Sequence, residues 1–465
     1  MSSQMTGPAE LAERALAGAG TAGRLAIVEE SYSAEVRFAN NTVTTNGVRR
    51  QRNVTLVSFE SRAAGIASGV ASASGALPVG ELVRLSRADA AGSEPAEDAF
   101  ELVGPEANDA DFATAAPDTD LGRLEPVLSR LNDLFARAES SNEVRAGFAR
   151  HEVTTTYLAS STGLRRRFST PSGRVELVGR AADGSRSAWA GTGTNDFSDV
   201  DLEGLEARVA RGLRWAGNKV ELPAGRYETL LPPDAVADLV LMLDEFASGR
   251  QAEEGRNVFS APSGKTRVGE KLFDLPFDLY GDPADARFPT PPFVIAKAST
   301  ADASVFDNGV ATSRVDMVRH GVLRRLRYHR AGAARSAAGG TFTPNLDNLV
   351  LELPGASANV DEMVGRTERG LLLTCLWYIR PVDPATLLLT GLTRDGVYLI
   401  DKGEVVGAVN NFRFNESPLD MLRRTAEAGS TERCLSREWG EWLTRSAMPP
   451  LRVDGFNMSS VSPAT

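Results

Sequence analysis

The sequence predicts an α+β fold with two domains, each built from an antiparallel sheet and flanking helices. Its 465 residues are too many for one ordinary core and favour more than one domain. Runs rich in β-branched residues recur in both halves and are separated by short segments of Gly, Asn and Ser, as in antiparallel sheets. Between these runs lie stripes of apolar residues at helical spacing, which indicate amphipathic helices packed against the sheets.

The N-terminal domain is predicted to span residues 1–222. Helices are expected at residues 9–17, 80–86, 124–135 and 202–213, the last with Ser198 as its N-cap. Strands are expected at residues 24–29, 35–38, 53–59 and 143–189, with turns at 161–163 and 171–173. The acidic stretch 93–120 has no periodicity and is predicted to be a loop.

The C-terminal domain is predicted to span residues 223–465 and to be rich in strands. The residues Pro232, Pro233 and Asp234 are expected to start a helix whose apolar stripe continues to Phe246. Strands are expected at residues 226–231, 293–297, 349–353, 371–379, 387–392 and 397–400, with hairpin turns at 395–396 and 402–403. A late helix is expected between Ser417 and Gly429.

Charge and cysteine content predict a cytoplasmic protein without membrane contact. The formal net charge of −10 argues against direct nucleic-acid binding, which needs a basic face. Two cysteines, Cys375 and Cys434, are too few for a disulfide scaffold and favour a reducing compartment. The first residues lack the apolar core of a signal peptide, and the apolar run 371–379 is about half the length that spans a bilayer.

A zinc peptidase helix needs two histidines on one face and a glutamate that activates water. The chain has three histidines: His151, His320 and His329. His151 precedes Glu152, but a β-branched run follows and no second histidine, so His151 is predicted to be a solvated strand residue. His320 lies in an expected turn and His329 in a basic segment, and both are predicted to be structural.

Other catalytic patterns are incomplete. Residues 263–266 read Ser-Gly-Lys-Thr, but Phe259 stands where a phosphate-binding loop needs its first glycine. Cys375 lies in an apolar run and is predicted to be inert core. The adjacent carboxylates Asp244 and Glu245 are predicted to be solvated, because neighbouring helical residues point to different faces.

Several motifs of the second half, in this order and spacing, resemble those of the TldD/PmbA family. They are a Phe-Ser step at residues 257–260, Gly-Glu-Lys at 269–271, an Asp-Asn-Gly segment at 306–310, a Gly-Val-Leu turn at 321–323 and an Ala/Gly-rich stretch at 331–340. A long strand-rich pattern at 370–422 and a closing Pro-Pro-Leu-Arg-Val-Asp-Gly at 449–455 follow. The long pattern is similar to the PmbA (TldE) branch, particularly its actinobacterial form. Residues 36–41 resemble the family more loosely.

The resemblance implies a subunit without the family's metal site. TldD-like chains carry His-Glu-x-x-x-His and a late cysteine that bind zinc, whereas PmbA-like chains lack the motif and pair with a TldD-like chain. Counting back from Phe259 places the motif at residues 241–246, where Leu241 and Phe246 occupy the ligand positions and Met242 the base position. Cys434 falls where the ligating cysteine is expected.

The expected function is therefore that of a non-catalytic subunit in a TldD/TldE-type zinc metallopeptidase complex acting on unfolded peptides. The chain itself is expected to hold no cofactor, and zinc is expected in the TldD-like partner of a heterodimer. Two alternatives remain open. One is a regulatory binding protein of the DNA gyrase modulator or peptide-toxin type. The other is an independent hydrolase that uses Cys434 with His329 or a carboxylate cluster.

Overall fold

The computed structural model describes residues 6–18, 23–75 and 78–462. In these ranges the α-helices are α1 Pro8–Leu16, α2 Val79–Gly92, α3 Glu125–Leu128, α4 Leu131–Ser140, α5 Leu202–Trp215, α6 Pro233–Glu245, α7 Gly249–Glu253, α8 Arg330–Arg335, α9 Val360–Gly365 and α10 Pro418–Arg423. None of the helices within the described ranges has the length and apolar character needed to cross a membrane.

The first half forms one antiparallel sheet. Its strands are β1 Arg24–Ala39, β2 Thr42–Arg62, β3 Gly65–Ser74, β4 Glu143–Ser160, β5 Arg165–Ala181 and β6 Ser187–Thr194. They are ordered β3-β2-β1-β4-β5-β6. The strand β3 pairs with β2 from Asn53 onward. Among the described residues no strand pairs with the outer edge of β2 at residues 42–51, although β1 pairs with its inner edge.

Helices cover one face of this sheet because its strands alternate apolar residues. On β1 the buried residues Ala26 and Val28 contact α1 and α2, and Ala34 and Val36 belong to the cluster with α4 and α5. On the opposite face, Ile27 packs against a loop of the second half. The sheet therefore joins the two halves through a shared apolar contact.

The second half contains the remaining strands, which form two larger sheets and one small ribbon. They are β7 Lys219–Val220, β8 Gly225–Leu231, β9 Ser260–Ala261, β10 Lys265–Thr266, β11 Asp278–Gly281, β12 Val315–Arg319, β13 Val322–Leu323, β14 Leu349–Glu352, β15 Arg369–Leu373, β16 Leu376–Asp383, β17 Leu388–Thr393, β18 Val397–Asp401, β19 Glu404–Val409, β20 Phe412–Glu416, β21 Thr425–Ala428, β22 Glu432–Cys434, β23 Ser446–Met448 and β24 Leu451–Val461.

The larger sheet has the order β16-β17-β20-β24-β8-β15-β18-β19-β7, with β21 also paired to β24, and the smaller one β13-β12-β11-β14-β23-β22. Most pairs are antiparallel, but β8 with β15, β7 with β19 and β14 with β23 are parallel. The helix α6 belongs to the main core, to which both sheets contribute. Its apolar stripe explains this position, since Val236, Leu239, Val240 and Leu243 are fully buried.

The α+β class is confirmed, with antiparallel sheets and flanking helices. The division into domains 1–222 and 223–465 remains a prediction. Several local expectations are wrong. Residues 171–173 lie inside β5 rather than in a turn, and Asp201, not Ser198, caps α5 by accepting the Gly204 N–H.

In the second half, the expected strand 371–379 is interrupted at Thr374 and Cys375 and forms parts of β15 and β16. The turn at residues 395–396 connects β17 with β18, which are not neighbours, so it is not a hairpin. Residues 293–297 form an isolated bridge between Phe293 and Ala311 instead of a strand. The late helix α10 ends at Arg423, well before Gly429.

Candidate functional site

The region where the family motif and Cys434 are expected to meet is the contact between α6 and residues 434–439, called here the α6–Cys434 junction. Two aspartates four residues apart, Asp234 and Asp238, lie on the same face of α6 and point to this segment. The Asp234 carboxylate accepts the Leu435 N–H at 2.9 Å and the Arg208 guanidinium at 2.6 Å. The helix thus holds the segment through its side chains.

The Asp238 carboxyl is deeply buried in the junction, with 1% of the residue exposed. Its Oδ1 accepts the Ser436 hydroxyl at 2.5 Å and the Glu438 N–H at 3.0 Å. Burial raises the pKa of Asp238 to about 8, although both hydrogen bonds act to lower it and the charges of Asp234 and Glu438 act to raise it. At neutral pH this carboxyl is therefore largely protonated.

The Cys434 thiol is also buried, with 1% of the residue exposed. Its Sγ lies 3.4 Å from the Ser446 hydroxyl on β23. Burial raises the pKa of Cys434, and the charges of Asp234 and Asp238 raise it further. A thiol held in its neutral form is a poor nucleophile, because nucleophilic attack requires the thiolate.

The same segment binds two strands of the surrounding sheets. The Glu438 carboxylate accepts the N–H groups of Tyr378 and Ile379, each at 3.1 Å. The Arg437 guanidinium lies between the rings of Trp189 and Trp377, 5.3 Å from each centroid. Because Trp189 is on β6 and Trp377 on β16, Arg437 connects the N-terminal sheet to the C-terminal one.

Arg437 also donates to the buried Cys375 Sγ, with a nitrogen–sulfur distance of 2.7 Å. Burial raises the pKa of the Cys375 thiol to about 11, which agrees with an unreactive core cysteine.

The donor set of the junction does not fit a zinc ion. Zinc prefers histidine nitrogen and thiolate sulfur in tetrahedral geometry. The junction offers a neutral thiol and two carboxyls whose oxygens already accept hydrogen bonds, and α6 contains no histidine. Throughout the described ranges, no group of three or more His, Cys, Asp or Glu side chains is arranged to hold a metal.

The predicted motif region, residues 241–246, lies on the C-terminal half of α6. Met242 belongs to the main core, and Leu241 and Phe246 pack against it while remaining partly exposed. The contacts with the Cys434 segment come instead from Asp234 and Asp238, on the N-terminal half. The register of the degenerate motif therefore stays a prediction.

The three histidines occupy unrelated places. His151 is buried, which corrects the expectation of a solvated residue: its Nε2 donates to the Asn195 carbonyl and its Nδ1 accepts from the Thr119 hydroxyl. Burial lowers the pKa of His151, so the ring stays neutral. His320 lies in an exposed turn with φ of 50° beside Asp278.

His329 is buried and caps α8, because its Nδ1 accepts the Gly332 N–H at 3.1 Å. It lines a cleft of about 240 Å³ together with Glu253, Tyr328 and Arg335, and Cys434 is not among the lining residues. The structure thus does not bring His329 and Cys434 into one site. Burial lowers the pKa of His329 as well.

The pair Asp244 and Glu245 is only partly solvated, which corrects another expectation. Glu245 is exposed, but Asp244 is half-buried and lies 3.5 Å from the Arg327 guanidinium. The basic segment around Arg327 is not a helix. Burial raises the pKa of Asp244, Arg327 opposes this shift, and the charge of Asp302 adds to it.

Sequence reasoning missed the residues that build the junction, namely Asp234, Asp238, Ser436 and Glu438. One signal was present: two aspartates at a spacing of four in an otherwise apolar helix must share a face and need partners. The partners lie about 200 residues later in the chain, and no local pattern marks them.

Comparisons with known proteins agree with this architecture. A family profile described as the PmbA/TldA metallopeptidase C-terminal domain matches residues 224–460, and a profile for the central domain of the same family matches residues 116–216. A search of curated proteins finds no significant match.

Among solved structures, TldE from Thermococcus kodakarensis has 17% identity and a TM-score of 0.73, over 96% of this chain and 97% of that one. A candidate modulator of DNA gyrase from Thermotoga maritima has 15% identity and a TM-score of 0.72, over 96% and 99%. Another from Bacteroides thetaiotaomicron has 15% identity and a TM-score of 0.73, over 97% and 98%. These structures share the fold. Because one profile alone spans half of the sequence, the chain belongs to the TldD/PmbA family.

Proposed function

We propose that this chain is the non-catalytic subunit of a cytoplasmic, TldD/TldE-type zinc metallopeptidase complex that degrades or processes unfolded peptides. In this complex a TldD-like subunit holds the zinc ion and activates water. The present chain supplies no metal ligand and contributes binding surface to the heterodimer.

The observation that carries the proposal is the state of the α6–Cys434 junction. The carboxyls of Asp234 and Asp238 are engaged by hydrogen bonds within the chain, and Cys434 is a buried neutral thiol. A site that activates water needs an open coordination position and a base within reach. At the junction the carboxyls of Asp234 and Asp238 instead hold residues 434–439 against α6.

A second feature supports a role in binding extended chains. The outer edge of β2 at residues 42–51 has no partner strand among the described residues, and Val43 and Val48 are 41% and 63% exposed. An exposed edge strand can pair with an extended peptide or with the edge of another subunit through backbone hydrogen bonds. We assign this edge to the peptide or to the TldD-like partner.

The test compares the purified chain, a TldD-like protein from the same organism, and their mixture. Zinc is measured by elemental mass spectrometry, association by light scattering, and cleavage on an unstructured peptide. We expect far less than one zinc per chain in the isolated protein, a one-to-one complex, and cleavage only by the mixture.

Two outcomes would overturn the proposal in different directions. Cleavage by the isolated chain that Cys434→Ala abolishes would establish an independent hydrolase. Partner binding that leaves proteolysis unchanged would establish a regulatory binding protein of the gyrase modulator type.

The role of the β2 edge has its own test. Val48→Lys places a charge on the exposed edge and should weaken cleavage or association about tenfold, because a lysine on an edge strand opposes strand pairing. Val268, which is 46% exposed, provides the matched control as Val268→Lys. Equal activity of the two variants would remove the edge from the binding surface.

A further inference from the structure

The cleft of about 240 Å³ that His329 lines, called here the His329 cleft, lies between the helices α7 and α8. The lining residues of each helix are three or four positions apart and therefore share one face. They are Arg250, Glu253 and Glu254 on α7 and its C-cap, and Gly332, Arg335 and Ser336 on α8 and its C-cap. Several of these residues are exposed, so the cleft is open to solvent.

Hydrogen bonds to Glu253 hold the two helix faces against each other. Oε1 of its carboxylate accepts the Tyr328 hydroxyl at 2.7 Å and also the Ser336 hydroxyl. The first donor directly precedes His329 in the chain, and the second directly follows Arg335. Since neighbouring Cα atoms are about 3.8 Å apart, the two hydroxyls keep the Glu253 carboxylate close to both residues. The cleft therefore exists before a ligand enters, which lowers the entropy cost of binding.

One hydrogen bond fixes the tautomer of His329. Its Nδ1 accepts the Gly332 N–H at 3.1 Å, so the proton of the neutral ring is on Nε2. The residue is 3% exposed, and Nε2 has no hydrogen-bond partner within the described residues, yet this atom is not sealed from solvent. A Cβ on Gly332, which also lines the cleft, would lie 3.2 Å from Nε2. The Nε2–H group is thus a donor without an acceptor at the wall of the cleft.

Two opposite charges of the cleft lack an ionic partner. Arg335 donates to the Glu97 backbone carbonyl but forms no ion pair with a carboxylate among the described residues. Glu253 forms no ion pair in the same part of the chain, and its Oε2 accepts no hydrogen bond there. By contrast, Arg250 is neutralised by Glu254 at 3.1 Å and by Glu97 at 3.3 Å. A matching ligand therefore brings an anionic group and, beside it, a hydrogen-bond donor.

An α-carboxylate with its α-nitrogen has this combination of groups. One carboxylate oxygen can accept from the Arg335 guanidinium and the other from the His329 Nε2–H. The nitrogen on the same α-carbon, as an ammonium or as an amide N–H, can donate to Oε2 of Glu253. A simple anion would leave Glu253 without a partner. At roughly 30 Å³ per water molecule, the cleft has room for about eight waters, which is enough for one small amino-acid residue.

We propose that the His329 cleft binds the α-carboxylate end of an amino acid or peptide, with the carboxylate on Arg335 and His329 and the α-nitrogen on Glu253. A free amino acid and the C-terminal residue of a peptide carry this same chemistry. All three contacts come from this chain. The site is therefore tested on the isolated protein, independently of the peptidase role.

The experiment titrates the full chain, labelled with ¹⁵N in its histidines, with L-alanine, N-acetyl-L-alanine and L-alaninamide. We expect His329 in the Nε2–H tautomer, and a saturable shift of its Nε2 with a dissociation constant of about 1 mM for at least one of the two carboxylates, typical of so small a ligand. L-Alaninamide, which has no carboxylate, should bind at least tenfold more weakly. His151 is the internal reference, because both of its ring nitrogens are already hydrogen-bonded.

Two variants test the assigned contacts. Arg335→Gln removes the charge that holds the carboxylate and should weaken the binding of either carboxylate about tenfold. Glu253→Gln keeps an oxygen for the Tyr328 and Ser336 hydroxyls. It should weaken L-alanine about tenfold, but N-acetyl-L-alanine about threefold or less, because the latter offers only a neutral N–H. The matched control is Arg324→Gln, since Arg324 is also exposed and forms no ion pair among the described residues, but is absent from the lining.

The result decides the proposal in either direction. It is overturned by a His329 proton on Nδ1, by the absence of a saturable His329 shift at about 20 mM ligand, or by equal affinity for L-alaninamide. Equal affinities of Arg335→Gln and Arg324→Gln would also overturn it. If N-acetyl-L-alanine binds at least as tightly as L-alanine, the natural ligand is the C-terminal residue of a peptide. If L-alanine binds more tightly, the natural ligand is a free amino acid.

Discussion

Buried polar groups near the two ends of α6 differ in whether they have hydrogen-bond partners within the described residues. At the N-terminal half, the carboxyls of Asp234 and Asp238 accept hydrogen bonds from Leu435, Ser436 and Glu438. Beyond the C-terminal end, the Arg327 guanidinium lies 3.5 Å from Asp244 and 3.9 Å from Asp302, and Oδ1 of Asp302 has no partner within the described residues.

This difference distinguishes polar groups that stabilise the fold from polar groups that can accept a partner from outside the chain. A buried polar group that is fully paired within the chain stabilises one conformation and has no capacity for a ligand. A buried group left unpaired destabilises the free protein and gains a partner only from outside. In this chain the former arrangement occupies the region where a metal site is expected, and the latter lies elsewhere.

The largest expected effect is at the junction. Asp238→Ala leaves the Ser436 hydroxyl and the Glu438 N–H without their acceptor and should lower the free energy of unfolding by about 3 kcal/mol. Urea denaturation of the full chain measures it. The control Asp361→Ala removes an exposed pair with Arg211 and should change stability by less than about 0.5 kcal/mol. Similar values for both variants would contradict a structural role of the junction.

The raised pKa of Asp238 makes stability depend on pH. Between its ordinary pKa near 4 and its folded value of about 8, the folded state holds a proton that the unfolded state has released. The unfolding free energy should therefore fall as pH rises through this range, by at most about 1.4 kcal/mol per pH unit. Asp238→Asn removes this contribution, whereas other titrating groups are common to both proteins.

The difference between wild type and Asp238→Asn should thus grow with falling pH, in favour of the wild type. Denaturation at pH 5, 6, 7 and 8 measures this difference directly. Parallel profiles for the two proteins would show that Asp238 does not titrate in this range.

The comparison also shows which features a sequence can predict. The helix α6 was predicted because its signals are local: prolines at its start and a stripe of apolar residues. The break between β15 and β16 at Thr374 and Cys375 does not follow from the sequence, because β15 pairs with the distant β8 whereas β16 pairs with the adjacent β17. Strand pairing is a non-local property that a run of apolar residues does not encode.

The same limit applies to the site. The sequence alone establishes that α6 lacks histidine, and the spacing of Asp234 and Asp238 places them on one face. Their partners, and the burial of His151 against Thr119 and Asn195, follow from contacts between distant segments.

A smaller effect is expected where the junction joins the two sheets. Arg437→Lys loses the planar contact with Trp189 and Trp377 and should cost about 1–2 kcal/mol of stability. In the control Arg37→Lys, the arginine is 57% exposed and lies over Phe148, away from the junction, and the expected cost is about 0.5 kcal/mol. Thermal unfolding compares the two variants, and equal losses would mean that the half-buried contact of Arg437 with the two tryptophans contributes nothing beyond a surface contact.

The smallest effect, which tests the contrast between paired and unpaired buried groups most directly, concerns two equally buried threonines. Thr290 and Thr367 are each 2% exposed, but the Thr367 hydroxyl donates to the Met363 carbonyl at 2.9 Å, whereas the Thr290 hydroxyl has no partner among the described residues. Thr367→Val should therefore cost about 1 kcal/mol, while Thr290→Val should be neutral or stabilise by up to about 1 kcal/mol, since it removes an unpaired polar atom. Urea denaturation measures both changes. An equal loss in both variants would mean that the Thr290 hydroxyl is already hydrogen-bonded in the free protein, as the Thr367 hydroxyl is.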